Sequence, residues 1–189
     1  MALLHRNIQL ITRGIIRKED TDLYEYSINI LKSYIFFTII IILANLFTKN
    51  FKSTILFLII FFSLRKYCGG FHFDHKLTCF LFSVVLTILI PIISNYLFMS
   101  SLNIIFLQLV ISILLICFPI IEIPQKKLID TEKKHYKLVS IKILFTLFIV
   151  NICCLYFKFY KISIIFLISI ILSFFSVLFG YFKYMRITK

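Results

Sequence analysis

Apolar residues run nearly unbroken through six stretches of the chain, residues 34–47, 51–64, 77–99, 102–121, 141–157 and 162–181, and polar residues collect in the gaps between them. A helix that crosses a bilayer needs about 17 to 25 apolar residues, and shorter ones serve where flanking lysines snorkel or the bilayer thins. The pattern therefore predicts six transmembrane helices. The first two stretches are short, and a tight helical hairpin that only partly crosses is the alternative for that pair.

A different periodicity precedes the first span. At 100° per residue, Leu4, Ile8, Ile11 and Ile15 share one sector while Arg6, Arg13 and Arg17 lie nearly opposite. This predicts an amphipathic helix lying flat on the cytoplasmic leaflet, with a helix packed on the loops as the plainer reading. Glu19, Asp20, Asp22 and Glu25, half of the 8 acidic residues, follow as a connector. The expected organisation is an interfacial helix and connector over 1–32 and a six-span membrane domain over 33–189. Its largest polar connection, 122–142, carries Lys126, Lys127, Lys133, Lys134 and Lys137, and Pro119 and Pro124 mark where the fourth helix stops.

Composition agrees with a membrane location. Mean hydropathy is +1.01 and only 15% of residues are charged, against about 25% in soluble domains. Of 21 Lys and Arg, 17 fall in alternate connections or the termini, which predicts that both termini are cytoplasmic. A basic face meeting anionic lipid head groups accounts for the net charge of +13 without nucleic-acid binding. The first thirty residues lack the layout of a cleaved signal peptide. No internal repeat and no phosphate-cradling glycine loop is present, which disfavours an ATP-driven transporter. The five cysteines are odd in number, and two of them face a reducing compartment on this topology, so a structural disulfide is not expected.

The 65–79 connection is the densest run of reactive side chains: Arg-Lys-Tyr-Cys-Gly-Gly-Phe-His-Phe-Asp-His-Lys-Leu-Thr-Cys. Such residues beside membrane spans point to function. A cysteine nucleophile needs a thiolate, favoured by a cation, a histidine or a helix N-terminus. Cys79 opens the third span, His72 lies upstream and Arg65 precedes a glycine pair, so Cys79 is read as nucleophile and His72 as general base. On a straight helix residues seven apart are separated by about 10.5 Å along the axis, and side chains lean toward the N-terminus. A dyad therefore requires the backbone to leave helical geometry between Gly69 and Thr78, starting at Gly69 and Gly70.

Taken singly, Cys79 reads as a packing residue and His72 as an interfacial histidine; the cluster is what favours catalysis. Cys68 is the rival nucleophile, while Cys117, Cys153 and Cys154 read as packing residues. Asp74 and His75 are weak candidates for orienting His72. Cys68, His72, His75 and Cys79 form a second reading, a metal site, but along a helix they would spread over roughly 16 Å. A small transporter is a third reading, and the absence of acidic residues from the spans argues against it. The favoured reading requires no cofactor.

These residues carry a resemblance to the accessory gene regulator protein B family, membrane endopeptidases that mature quorum-sensing peptides in Gram-positive bacteria. Arg65, Gly69-Gly70-Phe71-His72 and Cys79 fit the family's arginine, Gly-Gly-aromatic-His and cysteine pattern, with spacings of seven from Arg65 to His72 and from His72 to Cys79. Length, six-span hydropathy and the basic N-terminus agree. In place of the family's Lys-Pro pair, the fourth connection has Pro124-Gln125-Lys126-Lys127. The resemblance implies cysteine-type cleavage of a small amphipathic pro-peptide with an acidic C-terminal tail, through an acyl-enzyme thioester, followed by closure to a thiolactone or lactone. It also implies a homodimer in the cell membrane with the catalytic segment on the cytoplasmic side. Charge complementarity places Arg65, Lys126 and Lys127 against the acidic tail, with Arg65 alternatively holding the thiolate or oxyanion.

Overall fold

The computed structural model describes residues 21–71, 75–119 and 129–185, and all its regular structure in these ranges is helical. Six helices follow in order: α1 (Thr21–Thr48), α2 (Phe51–Cys68), α3 (Lys76–Ile93), α4 (Ser101–Cys117), α5 (Asp130–Tyr156) and α6 (Tyr160–Met185). Three segments are long and apolar enough to cross a membrane by themselves, Tyr24–Thr48, Asp130–Tyr156 and Tyr160–Lys183, and Leu77–Ile93 and Ser101–Cys117 are shorter apolar helices. The protein is an all-helical membrane protein. The expected interfacial helix lies outside the described residues, and the part of the connector from Thr21 onward is helical and continuous with the first span.

The chain divides into two compact units, Met1–Leu43 and Ala44–Lys189. In the first, Ser33 and Thr38 hydroxyls donate to the carbonyls of Asn29 and Tyr34, both at 2.9 Å, so these polar groups are satisfied within their own helix.

The second unit is built around α6. Ser163, Ile164, Ile165, Phe166, Leu167, Ser169 and Ile170 are all buried, so this helix is enclosed over 163–170. It packs against α2, α4, α5 and α3. On α2 the buried residues are Thr54, Phe57, Ile60, Phe61, Leu64 and Cys68, a spacing of three and four that puts them on one stripe. Ile60, Leu64, Cys68, Leu115, Leu144, Phe166, Ile170 and Val177 form one apolar cluster, and Ile104, Leu155, Ile164 and Leu167 another.

Span boundaries differ from those the apolar pattern predicts, the first helix beginning at Thr21 and not near Tyr34. The third helix ends at Ile93 rather than near Met99, because the chain turns through Ser94 and Asn95, whose amide Nδ2 donates to Asn50 Oδ1 at 3.0 Å. The fourth ends at Cys117, since Phe118 takes an extended ψ of 143° before Pro119. The fifth begins at Asp130, eleven residues before the apolar run: Asp130 and Glu132 sit in its first turn, where negative charge suits the helix dipole. The Ile129 N–H donates to Glu132 Oε2 at 3.2 Å. The first helix, at 28 residues, is long enough to cross, which removes the length argument for that helix of the pair.

Between the two apolar clusters lies a polar contact. Asn151 Nδ2 of α5 donates to Gln108 Oε1 of α4, and both residues are 1% exposed. Gln108 Nε2, Ser112 Oγ, Asn151 Oδ1 and Ser163 Oγ have no hydrogen-bond partner among the described residues. Unpaired polar atoms are costly in hydrocarbon, so the amide pair ties α4 to α5 in one register. Asn151→Ala is expected to destabilise the protein in micelles by about 1–2 kcal/mol. Gln108→Leu with Asn151→Leu, which leaves no stranded amide, should recover much of that loss; thermal unfolding in detergent measures both.

Candidate active site

The helix that contains Arg65 stops where the sequence places two glycines. Gly69 takes φ 75° and ψ −160°, and Gly70 takes φ 155°. Side-chain-bearing residues rarely adopt either conformation, so the glycines permit the chain to leave α2. A Cβ on Gly70 would overlap the Ser176 hydroxyl of α6. The Phe71 N–H then donates to the Ser176 carbonyl at 2.8 Å, and Arg65 Nη2 donates to the Phe71 carbonyl at 3.0 Å. The Arg65 guanidinium also lies 5.9 Å from the Phe61 ring centroid, and the Lys183 ammonium lies 5.0 Å from that of Phe71.

His75, extended at ψ 125°, is the N-cap of α3 and gives no side-chain cap. Cys79 is the fourth residue of that helix, and its N–H donates to the His75 carbonyl at 3.2 Å. Side chains on a helix lean toward its N-terminus, so the Cys79 thiol leans over the first turn and the positive end of the helix dipole. Cys79 is a free, half-buried thiol.

The structure therefore brings Arg65, Gly69 and Gly70 into one anchored turn and puts Cys79 at the start of the next helix. His72, Lys126 and Lys127 lie outside the described residues. Helical geometry is lost from Gly69, which a His72–Cys79 dyad requires.

Cys68 occupies a different environment. It closes α2 beyond the apolar run that ends at Leu64 and is 7% exposed. Burial pushes its thiol up from 9.0 to about 11, and a hydrogen bond with Ser140 of α5 pulls it partly back. A buried, protonated thiol is a poor nucleophile, so the rival assignment loses its footing. The same surroundings detach Cys68 from the four-ligand metal reading. Among the described residues no group of three His, Cys, Asp or Glu could hold an ion, with His72 outside that set.

The family model for accessory gene regulator B (AgrB) matches residues 4–179, nearly the full length. The chain belongs to the accessory gene regulator B family. Membership gives it a role in quorum-sensing peptide processing at a membrane, with a peptide as substrate. No curated protein and no solved structure matches the chain.

Several contacts at this end of the bundle were not singled out from sequence. Ser176 and Lys183 of α6 reach the Phe71 turn, and Tyr67 meets Tyr136 of α5 with ring centroids 5.8 Å apart. The available signal was the run of small residues Ser169, Ser173, Ser176 and Gly180 along the last span, which marks a face open to close approach.

The Cys68 environment gives a pH prediction. Its folded thiol ionises near pH 11 and the unfolded one near 9.0, so the burial contribution is full below pH 9.0 and falls as pH rises toward 11. At pH 8 burial keeps the Cys68 thiol protonated. Iodoacetamide at that pH should leave Cys68 unmodified in the folded protein and modify it after denaturation, as peptide mass mapping will read.

Proposed function

We propose that the protein is a cysteine endopeptidase that cleaves the C-terminal part of a small quorum-sensing pro-peptide and promotes closure of the remainder into a ring. The observation that carries this reading is the break in helical geometry at Gly69 and Gly70, anchored on α6, together with Cys79 on the first turn of α3. Family membership supports the substrate class.

In the proposed reaction His72 takes the thiol proton and the Cys79 sulfur attacks the scissile carbonyl. The C–N bond breaks, the departing amine takes the proton from His72, and the peptide remains as a thioester on Cys79. An internal Cys or Ser of the peptide then attacks that thioester. Its proton passes through His72 to the Cys79 thiolate, and the ring leaves as a thiolactone or lactone. A thioester stores more free energy than the amide it replaces, so escape of the C-terminal fragment helps to drive closure.

The proposed setting is a homodimer in the cell membrane of a Gram-positive bacterium, with the 65–79 segment on the cytoplasmic side. Lys126 and Lys127 are proposed to meet an acidic C-terminal tail on the peptide. For Arg65 the contact with the Phe71 carbonyl favours a role in holding the catalytic segment over tail binding.

Mass spectrometry of cells expressing the chain with a candidate precursor peptide tests the dyad. Cleavage should fall more than a hundredfold in Cys79→Ser and His72→Ala, on the order of the 10² to 10⁴ carried by general acid–base catalysis. It should persist in His75→Ala. Unimpaired cleavage in Cys79→Ser overturns the nucleophile, and loss in His75→Ala with metal in the purified protein favours the four-ligand reading. Charge reversal of Lys126 and Lys127 should weaken processing several-fold at low salt and less at high salt; an unchanged yield removes the tail contact.

A further inference from the structure

Phe71 is gripped at three points, and two of the grips come from α6. Its N–H donates to the Ser176 carbonyl at 2.8 Å, its ring lies 5.0 Å from the Lys183 ammonium, and its carbonyl accepts from Arg65 Nη2 at 3.0 Å. Ser176 and Lys183 are seven residues apart, which puts them two turns from each other on one face of α6. Gly70 abuts the Ser176 side chain so closely that no Cβ fits between them.

The Phe71 carbonyl belongs to the peptide unit that leads into His72. A backbone held at both its N–H and its C=O has lost much of its freedom to rotate, and at Phe71 both are held. Seven of the eight residues from Ser163 to Ile170 of α6 are buried, as are Ser173 and Val177 on either side of Ser176, so the support is itself packed into the bundle.

We propose that Ser176 and Lys183 are positioning residues for His72, acting through Phe71, so that the last helix sets where the candidate base can reach. This rests on the dyad reading above. Ser176 acts through its main-chain carbonyl, with a side chain small enough to admit Gly70. Lys183 acts by holding the Phe71 ring through a cation–π contact.

The test uses the full-length protein in liposomes and reads, by peptide mass spectrometry, the rate at which iodoacetamide modifies Cys79 as a function of pH. His72→Ala sets the profile of a thiol without its partner. Ser176→Leu, Lys183→Met and Phe71→Leu should each slow modification at pH 7 by about tenfold and move the profile toward that of His72→Ala. Ser176→Ala, which keeps the carbonyl and the space, and Lys183→Arg, which keeps the cation, should retain the wild-type profile.

Wild-type profiles in Ser176→Leu and Lys183→Met overturn the inference while leaving the dyad intact, whether or not their melting midpoints fall. If Ser176→Leu does not fold, Lys183→Met decides alone. A shift in Lys183→Met with none in Phe71→Leu also overturns it, because the ammonium would then act on the thiol by charge and not through the ring. A wild-type profile in His72→Ala removes the dyad, and this inference falls with it.

Discussion

A helix that stops against the side of a packed bundle strands backbone donors and acceptors, and each one left buried and unpaired costs about 1–3 kcal/mol. The connection between α2 and α3 meets that constraint at Phe71, whose N–H is taken by the Ser176 carbonyl and whose C=O is taken by Arg65. The glycines before it supply the backbone geometry, and the absence of a side chain at Gly70 supplies the room. Remove the docking on α6 and the break loses its partners. The start of α3, and the Cys79 thiol on its first turn, would then lose their fixed relation to the rest of the bundle.

The bundle's energetics explain why α6 can serve as that support. Lipid tails are as apolar as the side chains they meet, so helices in a membrane associate through close packing and hydrogen bonds more than through hydrophobic burial. The 163–170 stretch of α6 is enclosed, and the Ser169 and Ser173 hydroxyls donate to the carbonyls of Ile165 and Ser169, at 2.7 and 2.8 Å. Internal bonding of this kind leaves a narrow surface that neighbours can approach. The Gln108–Asn151 pair adds a polar tie between α4 and α5. The Thr54 hydroxyl donates to Asn45 Oδ1 at 2.7 Å, joining the end of α1 to α2.

How much of this was legible in the sequence depends on the kind of interaction. The helical class and the six helices of the described residues follow from apolar runs, which any lipid-facing helix must have, although three of the six are long and apolar enough to cross by themselves. Span ends were less legible, because they are set by single polar contacts such as Asn95 to Asn50 and Ile129 to Glu132. Breakage at Gly69 was readable, since a glycine pair next to a proposed dyad has a physical reason to be there. That the broken segment would lean on Ser176, more than a hundred residues away, was not. A main-chain carbonyl leaves no trace in residue identity, and the small residues of the last span marked only a surface open to approach. The retreat of Cys68 from candidacy was equally hidden, because it depends on burial and on Ser140 of another helix.

The central claim is that Cys79 is acylated by the peptide it processes, and the most direct measurement is the mass of the purified protein quenched in acid during reaction with a candidate precursor. The account predicts a covalent adduct on the Cys79-containing fragment, equal in mass to the precursor less its C-terminal piece, and released by neutral hydroxylamine as a thioester is. An adduct on a different residue, or cleavage by Cys79→Ala at the wild-type rate, would contradict it.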